Sequence, residues 1–128
     1  MRALDISTGV GPAYTGKLLA EVGWDVVKFE SSAGDPTRAE ASRWGGAEGA
    51  AFAFANAGKR GVTGDAATLH ALARAADVVV GDFSGAALAA AGLPGDAYET
   101  LRPRHVVTSV SAFGLTGPKA DWAATEIG

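Results

Sequence analysis

The sequence has no cysteine, little net charge and no long apolar run. Without cysteine there is no disulfide framework, no thiol nucleophile and no cysteine-ligated zinc. Its 11 basic and 14 acidic residues give a formal net charge of -3, whereas nucleic-acid binding needs clustered lysine and arginine. The apolar runs are far shorter than the roughly 20 residues of a membrane-spanning helix. Asp5 also stands where a signal peptide needs apolar residues, so we expect a cytoplasmic location.

The length of 128 residues suits one domain or a piece of a larger one. We find no internal repeat and no domain boundary, and we therefore expect a single domain over residues 1–128. Residues 121–127 have the mixed charged and apolar pattern of a helix that starts just before the chain stops. This pattern predicts that the chain is the front part of a longer protein.

Short apolar segments alternate with helical patterns along the chain. Strands are predicted over residues 3–7, 24–30, 77–80 and 105–110, and helices over residues 66–76, 86–91 and 96–101. The helix between the first two strands opens near Pro12 and ends at Gly23, with an apolar stripe of Tyr14, Leu18, Leu19 and Val22. Strand, helix and strand in this order form a βαβ unit with a right-handed crossover. The predicted fold class is α/β, a Rossmann-like, mostly parallel sheet with flanking helices.

The segments between these elements are less regular. Residues 31–50 are rich in serine, glycine, alanine and charge, which predicts a surface loop, and the alternation of Phe52 and Phe54 indicates a short buried segment. Asp65 is a candidate N-cap for the helix that follows it. His70 and His105 have neither a serine nor an aspartate at triad spacing, nor a metal-ligand cluster, so we expect each to be structural or solvated, with no metal site.

The turn Gly9-Val10-Gly11-Pro12 joins the first strand to the first helix. Ligands of open α/β sheets bind outside the carboxyl ends of the strands, where helix N-termini attract phosphate. The dinucleotide fingerprint needs a third glycine at position 14, which is Tyr14 here, although Glu30 is placed to face a ribose. The fingerprint is half met, and a tight turn without a ligand remains the alternative.

Two later turns carry basic residues. Arg38, in Asp35-Pro36-Thr37-Arg38, is placed to meet a phosphate or carboxylate bidentately; the alternative is a solvated arginine in a mobile loop. Asn56-Ala57-Gly58-Lys59-Arg60 is a short basic turn, for which simple exposure to solvent is the stronger interpretation. Glu126 is a lone carboxylate that suits the first turn of a helix.

Taken together, six segments in this order resemble the class III CoA-transferase family, the CaiB/BaiF-like proteins. They span residues 4–12, 18–30, 34–38, 56–65, 77–83 and 109–118. The resemblance implies the N-terminal portion of a Rossmann-like large domain that binds coenzyme A, an interlocked homodimer, and transfer of CoA between an acyl-CoA and a carboxylic acid. It also implies an aspartate nucleophile that forms an aspartyl–CoA thioester.

By the same resemblance, the candidate contacts to CoA are Gly9, Val10, Gly11, Arg38, Asp82 and Phe83. No residue matches the catalytic aspartate, which in the family lies some tens of residues beyond the segment that ends at Pro118. We therefore assign no catalytic residue, and we expect no turnover by residues 1–128 alone.

Departures from the family pattern lower the expected affinity for CoA. Asp82 replaces an asparagine, and Ala67 and Ala90 stand where the family often has cations, which disfavours a polyanion. The first turn is also one residue shorter than usual. Thr125 before Glu126 argues against the racemase branch. The alternatives are a non-catalytic CoA- or nucleotide-binding module that works with a partner chain, a degenerate fragment without a ligand and, less favoured, a Rossmann oxidoreductase.

Overall fold

The computed structural model describes residues 1–39, 49–85, 88, 94–120 and 122. The strands are β1 (Arg2–Asp5), β2 (Asp25–Glu30), β3 (Arg60–Thr63), β4 (Val78–Gly81) and β5 (Val106–Ser109). The helices are α1 (Val10–Glu21), α2 (Ala50–Asn56), α3 (Ala66–Ala75) and α4 (Ala97–Leu101), with a 3₁₀ turn at Pro36–Arg38. All strand pairs are parallel, and the sheet order is β3-β2-β1-β4-β5.

The predicted α/β fold with a parallel sheet is confirmed, and the four predicted strands correspond to β1, β2, β4 and β5. Strand β3, which contains Gly61 and leaves most of its residues exposed, was not predicted. The prediction of a short buried segment at Phe52 and Phe54 was wrong, because both residues lie on α2, where Phe52 is buried and Phe54 is exposed. The helices predicted over residues 86–91 and 121–127 lie largely outside the described residues.

Alternation along the strands gives the two faces of the sheet different characters. Leu4, Phe29 and Val79 point into the large apolar cluster beneath α3 and α4. Their neighbours Asp5 and Lys28 point to the opposite face, because side chains alternate along a strand, and they are buried there. The face covered by α1 and α2 therefore combines small apolar groups with buried charges.

Helix α1 packs through its smallest residues. Pro12, Ala13 and Gly16 are buried, whereas three members of the predicted apolar stripe, Tyr14, Leu18 and Val22, are exposed. A Cβ on Gly16 would lie 2.8 Å from Asp5 Oδ2, so the helix approaches the sheet too closely for a larger side chain. The predicted apolar stripe was wrong because the buried face of α1 is the one whose small side chains let the helix approach the sheet closely, and not the one with the largest apolar area.

The ends of the helices follow the predicted turn chemistry. Gly23 has φ +90°, the left-handed conformation that suits glycine after a helix. Asp65 caps α3, since its Oδ1 accepts from the backbone N of Thr68 at 2.9 Å. Pro12 lies in the first turn of α1, two residues after Val10 opens the helix, where its missing N–H removes no helical hydrogen bond. Among the helices described, none has the length and apolar character that crossing a membrane requires.

Two strand glycines give a matched test of this packing. A Cβ on Gly81 would lie 2.6 Å from Ile6 Cγ1, whereas a Cβ on Gly61 meets nothing within 4 Å. We expect Gly81→Ala to lower the free energy of unfolding by about 1–3 kcal/mol through overpacking. Gly61→Ala should leave it unchanged or raise it by up to about 1 kcal/mol, since alanine restricts the unfolded chain. Urea denaturation checks both values, and an equal effect of the two substitutions would contradict the packing described.

Candidate functional site

The strand order of the sheet reverses between β1 and β4, and the carboxyl ends of these two strands define the position that we call the crevice. From β1 the chain builds β2 and β3 on one side, and β4 and β5 on the other. In open α/β sheets such a switch point is the usual ligand position. The segments that follow β1 and β4 contain Gly9, Val10, Gly11, Asp82 and Phe83, so the fold brings five of the six predicted site residues to neighbouring strand ends.

The turn after β1 leaves open space beside its backbone. Gly9 is the N-cap of α1, has no side chain to cap the helix, and adopts an extended conformation with φ -150°. A Cβ built on Gly9 would meet nothing within 4 Å. The N–H groups of Val10 and Gly11 lie in the first turn, where no helical carbonyl can accept from them. Backbone donors thus face an accessible surface, with no acidic residue in the first turn of the helix.

The segment after β4 presents one charged and one buried side chain. Asp82 is half-buried, and its Oδ1 accepts from the backbone N of Ser84 at 2.9 Å. Phe83 is buried in the apolar cluster beneath α3 and α4, and its backbone N donates to Ser109 Oγ at 3.4 Å. The Phe83 ring therefore packs in the protein interior, whereas Asp82 places a negative charge at this edge of the sheet.

Arg38, the sixth predicted residue, lies one strand away, in the segment after β2. Its Nε and Nη2 each donate to a different oxygen of Glu30 at 2.8 Å. The guanidinium carbon also lies 3.7 Å from the centre of the Phe52 ring. The arginine is held on two sides, and Glu30 balances its charge.

Glu30 is committed to the protein interior. Besides Arg38, its Oε2 accepts from the backbone N of Asp35 at 2.9 Å. The hydrogen bond from Arg38 is the main reason that the pKa of Glu30 is lowered from its ordinary 4.5, against the opposing effect of burial. A carboxylate bound in this way is not placed to face a ribose, which removes the strongest feature in favour of a dinucleotide site.

Beside this pair lies a buried ionic cluster that was not predicted from the sequence: Asp5, Lys28, Asp35 and Lys59. Lys59 Nζ lies 2.5 Å from Asp5 Oδ2, and Lys28 Nζ lies 2.8 Å from Asp35 Oδ2 and 3.9 Å from Asp5 Oδ1. All four side chains are at most 2% exposed. Two positive and two negative groups balance, as burial requires.

The ionic cluster also fixes backbone around the carboxyl edge. Lys28 donates to the carbonyl and the hydroxyl of Ser7, just before the Gly9 turn. Lys59 donates to the carbonyl of Ala13 at 2.7 Å, in the first turns of α1. Asp35 Oδ1 accepts from the backbone N of Thr37 at 2.9 Å, in the turn that carries Arg38. The four buried charges thus fix the Gly9 turn and the turn that carries Arg38, the two segments before α2 that contain predicted CoA contacts.

The interpretation of Asn56 to Arg60 as an exposed turn was wrong for its central charge. Gly58 does adopt a left-handed conformation with φ +81°, but the turn points Lys59 inward rather than into solvent. Asn56 assists, because its Oδ1 accepts from Lys59 Nζ at 2.8 Å. Arg60, by contrast, forms an exposed pair with Asp25.

The pKa directions follow these contacts. Burial tends to raise the pKa of Asp35, but hydrogen bonds from Lys28 and Thr37 outweigh it and the net shift is downward. Burial lowers the pKa of Lys59, and the nearby Asp5 carboxylate opposes that shift. Within the part of the chain that the structure describes, no group of histidine, aspartate and glutamate side chains could hold a metal ion.

A sequence signal for the cluster existed. Asp5 and Lys28 are charged residues inside apolar strands, and a charge in such a position must find a partner when the strand is buried. The partners lie 30 and 54 positions beyond Asp5, in segments that pattern alone assigned to surface loops. Only the parallel register, which sets Asp5 beside Lys28, brings them together.

Comparison with known proteins agrees with this architecture. Residues 1–127 match CoA-transferase family III. A succinate–glutarate CoA-transferase from Agrobacterium fabrum is 35% identical over 96% of this chain and 34% of its own length. A formyl-CoA:oxalate CoA-transferase from Streptomyces avermitilis is 34% identical over 99% of this chain and 32% of its own length. A CaiB/BaiF family protein from Brucella suis has a similar structure, with TM-score 0.77, 30% identity, and coverage of 99% and 36%.

The chain belongs to CoA-transferase family III, which confirms the predicted family. It spans about a third of the length of these curated relatives.

Loss of one cation from the ionic cluster should cost far more than loss of an exposed one. We expect Lys28→Met to lower the free energy of unfolding by about 3–5 kcal/mol, because Asp35 would stay buried without a counter-charge. Arg60, on β3, forms an exposed pair with Asp25, so Arg60→Met is the matched control, with an expected loss of about 0–1 kcal/mol. Urea denaturation measures both, and similar losses would contradict the proposed weight of the cluster.

The lowered pKa of Glu30 predicts a pH dependence of stability. The unfolded chain binds a proton on Glu30 near pH 4.5, whereas the folded chain holds this group ionised to lower pH. Stability from the pair with Arg38 is therefore complete above about pH 5 and is lost as the pH falls through the lowered pKa. Glu30→Gln should make the fall of the urea midpoint between pH 5 and pH 3 shallower, and Asp35, whose pKa is also lowered, should account for part of the fall that is left. Glu99→Gln, at an exposed glutamate on α4, should keep the wild-type slope; a parallel slope in Glu30→Gln would refute the assignment.

Proposed function

We propose that the chain is the CoA-binding part of an acyl-CoA:carboxylate CoA-transferase, with CoA bound at the crevice between the ends of β1 and β4. Membership of CoA-transferase family III carries this proposal. Its support in the fold is the position of Gly9, Val10, Gly11 and Asp82 at the point where the strand order reverses. Acyl-CoA and a carboxylic acid are the proposed substrates of the whole enzyme, and the acyl group is left open.

Backbone groups are the proposed donors to the CoA phosphates. In the first turn of α1 the N–H groups of Val10 and Gly11 have no helical carbonyl as acceptor, the helix end is positive, and Gly9 has no side chain to block approach. Pro12 has no N–H to offer, so the donor set is limited to the two residues before it and the Gly9 turn. This mode of binding suits an anion that comes close to the backbone.

Charge at the crevice argues for modest affinity. Arg38, the proposed basic contact, is already neutralised by Glu30, and its remaining role is to offer one face of a fixed guanidinium beside Phe52. Asp82 adds a negative charge close to the proposed phosphate path. Ala67, where the family often has a cation, contributes no charge. We therefore propose binding that relies on backbone donors more than on lysine or arginine.

We propose that transfer of CoA needs a nucleophile that residues 1–128 do not supply. The family resemblance implies an aspartate nucleophile, and no position of residues 1–128 matches it. We expect the 128-residue chain to bind CoA without transferring it, and measured turnover with an acyl-CoA donor and a carboxylate acceptor would refute that expectation. A homodimer and a cytoplasmic location stay predictions.

Gly9→Ala tests the proposed backbone contact. The fold has room for this methyl group and the extended φ accepts alanine, so thermal stability should not change. A ligand that approaches the Gly9 backbone should meet the methyl group, and we expect CoA affinity to fall at least about fivefold, or about 1 kcal/mol. Gly95→Ala is the control, because its Cβ also meets nothing within 4 Å and it lies just before α4. Isothermal titration with CoA measures both.

Asp82→Asn should act in the opposite direction. Asparagine keeps an oxygen to accept from Ser84 N and removes the negative charge, so CoA should bind about 3–10-fold more tightly at low salt. Glu99→Gln, a charge change away from the crevice, should leave the affinity unchanged. Absence of any heat with CoA in wild type and in Asp82→Asn would favour a degenerate fragment without a ligand over the proposed function.

A further inference from the structure

A cavity of about 320 Å³ lies on the face of the sheet opposite the ionic cluster. It sits between α3 and α4, above β1 and β4, and so within the large apolar cluster. Its volume falls at the lower end of the range for small-molecule sites, roughly 300–1,000 Å³. The Gly9 turn and Asp82 are not among its lining residues, so it is separate from the proposed CoA crevice.

The inner wall of this cavity is aliphatic. Leu4, Ile6 and Val79 line it from the sheet, and Leu69 and Leu101 line it from α3 and α4. Ala73 and Ala97 are buried residues that also line it, so both helices present small side chains where larger ones would fill the space. An apolar body of several carbons would gain contacts here that the described residues do not supply to one another.

The mouth of the cavity is basic. Arg74 on α3 and Arg104 beyond α4 line it together with His70, and none of its described lining residues is acidic. Arg2, Arg38, Arg60 and Arg102 each have a carboxylate partner. Within the described part of the chain, Arg74 and Arg104 are the arginines for which no such pair is found, and both line this cavity. In a chain of net charge -3, two uncompensated guanidinium groups at one apolar opening define a place for an anion.

We propose that this cavity binds an amphipathic monocarboxylate, with its aliphatic or aromatic body against Leu4, Ile6 and Val79 and its carboxylate between Arg74 and Arg104. Guanidinium groups pair with carboxylates through two parallel N–H donors, which favours this head group over a neutral one. The site is distinct from the CoA crevice, and the proposal does not depend on CoA binding.

Titration of the 128-residue chain with sodium octanoate tests the proposal by isothermal calorimetry. We expect saturable binding to one site, and octan-1-ol, which has the same tail without the charge, should bind at least about tenfold more weakly. The double substitution Arg74→Met and Arg104→Met should weaken octanoate binding by a similar factor. Arg102→Met removes the same charge from a neighbouring residue that does not line the cavity, and it should leave the affinity within about twofold of wild type.

A second variant separates the cavity from the surface charge. Ala97→Leu should fill part of the space and reduce octanoate binding while both arginines remain, with circular dichroism confirming that the variant is folded. Equal binding of octanoate and octan-1-ol would overturn the role of the arginines. Unchanged octanoate binding in Ala97→Leu, or no saturable binding by the folded wild-type chain, would overturn the site itself.

Discussion

The buried charges of Asp5, Lys28, Asp35 and Lys59 are the constraint on which the carboxyl edge of the sheet depends. Burying any one of these charges without a partner would cost too much free energy, so this edge of the sheet can pack only when all four groups are buried together. They come from β1, β2, the turn before Arg38 and the turn before β3. The contacts that neutralise them also fix the carbonyls of Ser7 and Ala13, on either side of the Gly9 turn. Order at this edge is therefore electrostatic, whereas the opposite face of the sheet is held by apolar packing.

The same cluster explains why pattern reading succeeded for most strands and failed for α1. Periodicity found β2 and β4 because their apolar residues are buried on both faces, which makes the signal independent of what covers them. It misread the buried face of α1, since a helix that lies against Asp5 and Lys59 must do so through glycine and alanine. It missed β3 because Val62 is the one large apolar residue of that strand, whereas β5, which is about as exposed, was found from its consecutive valines. The short-range pattern of a sequence indicates where apolar side chains are buried. It does not indicate where charged side chains are buried with their counter-charges.

The position of the candidate site could be predicted from the sequence, whereas the charge state of its surroundings could be predicted less well. The Gly-Pro turn and the segment after β4 share a crevice because parallel strands end at one edge, and that follows from the predicted topology. The state of Arg38 did not follow, since its partners Glu30 and Phe52 come from two separate elements, β2 and α2. As a result, Arg38, the basic residue that the sequence pointed to as an anion contact, has its charge already balanced by Glu30.

These two kinds of electrostatic environment imply different binding behaviour on the two faces of the protein. At the proposed CoA crevice the described cations are paired, and the donors are fixed backbone dipoles, whose field acts only at close range. At the proposed carboxylate cavity two arginines face solvent without a described counter-charge, so attraction reaches about a Debye length, roughly 8 Å at physiological ionic strength. Added salt should therefore weaken octanoate binding more than it weakens the protein's own contribution to CoA binding. Comparing the salt dependence of Gly9→Ala with that of the Arg74 and Arg104 variants would separate dipolar from ionic recognition within one chain.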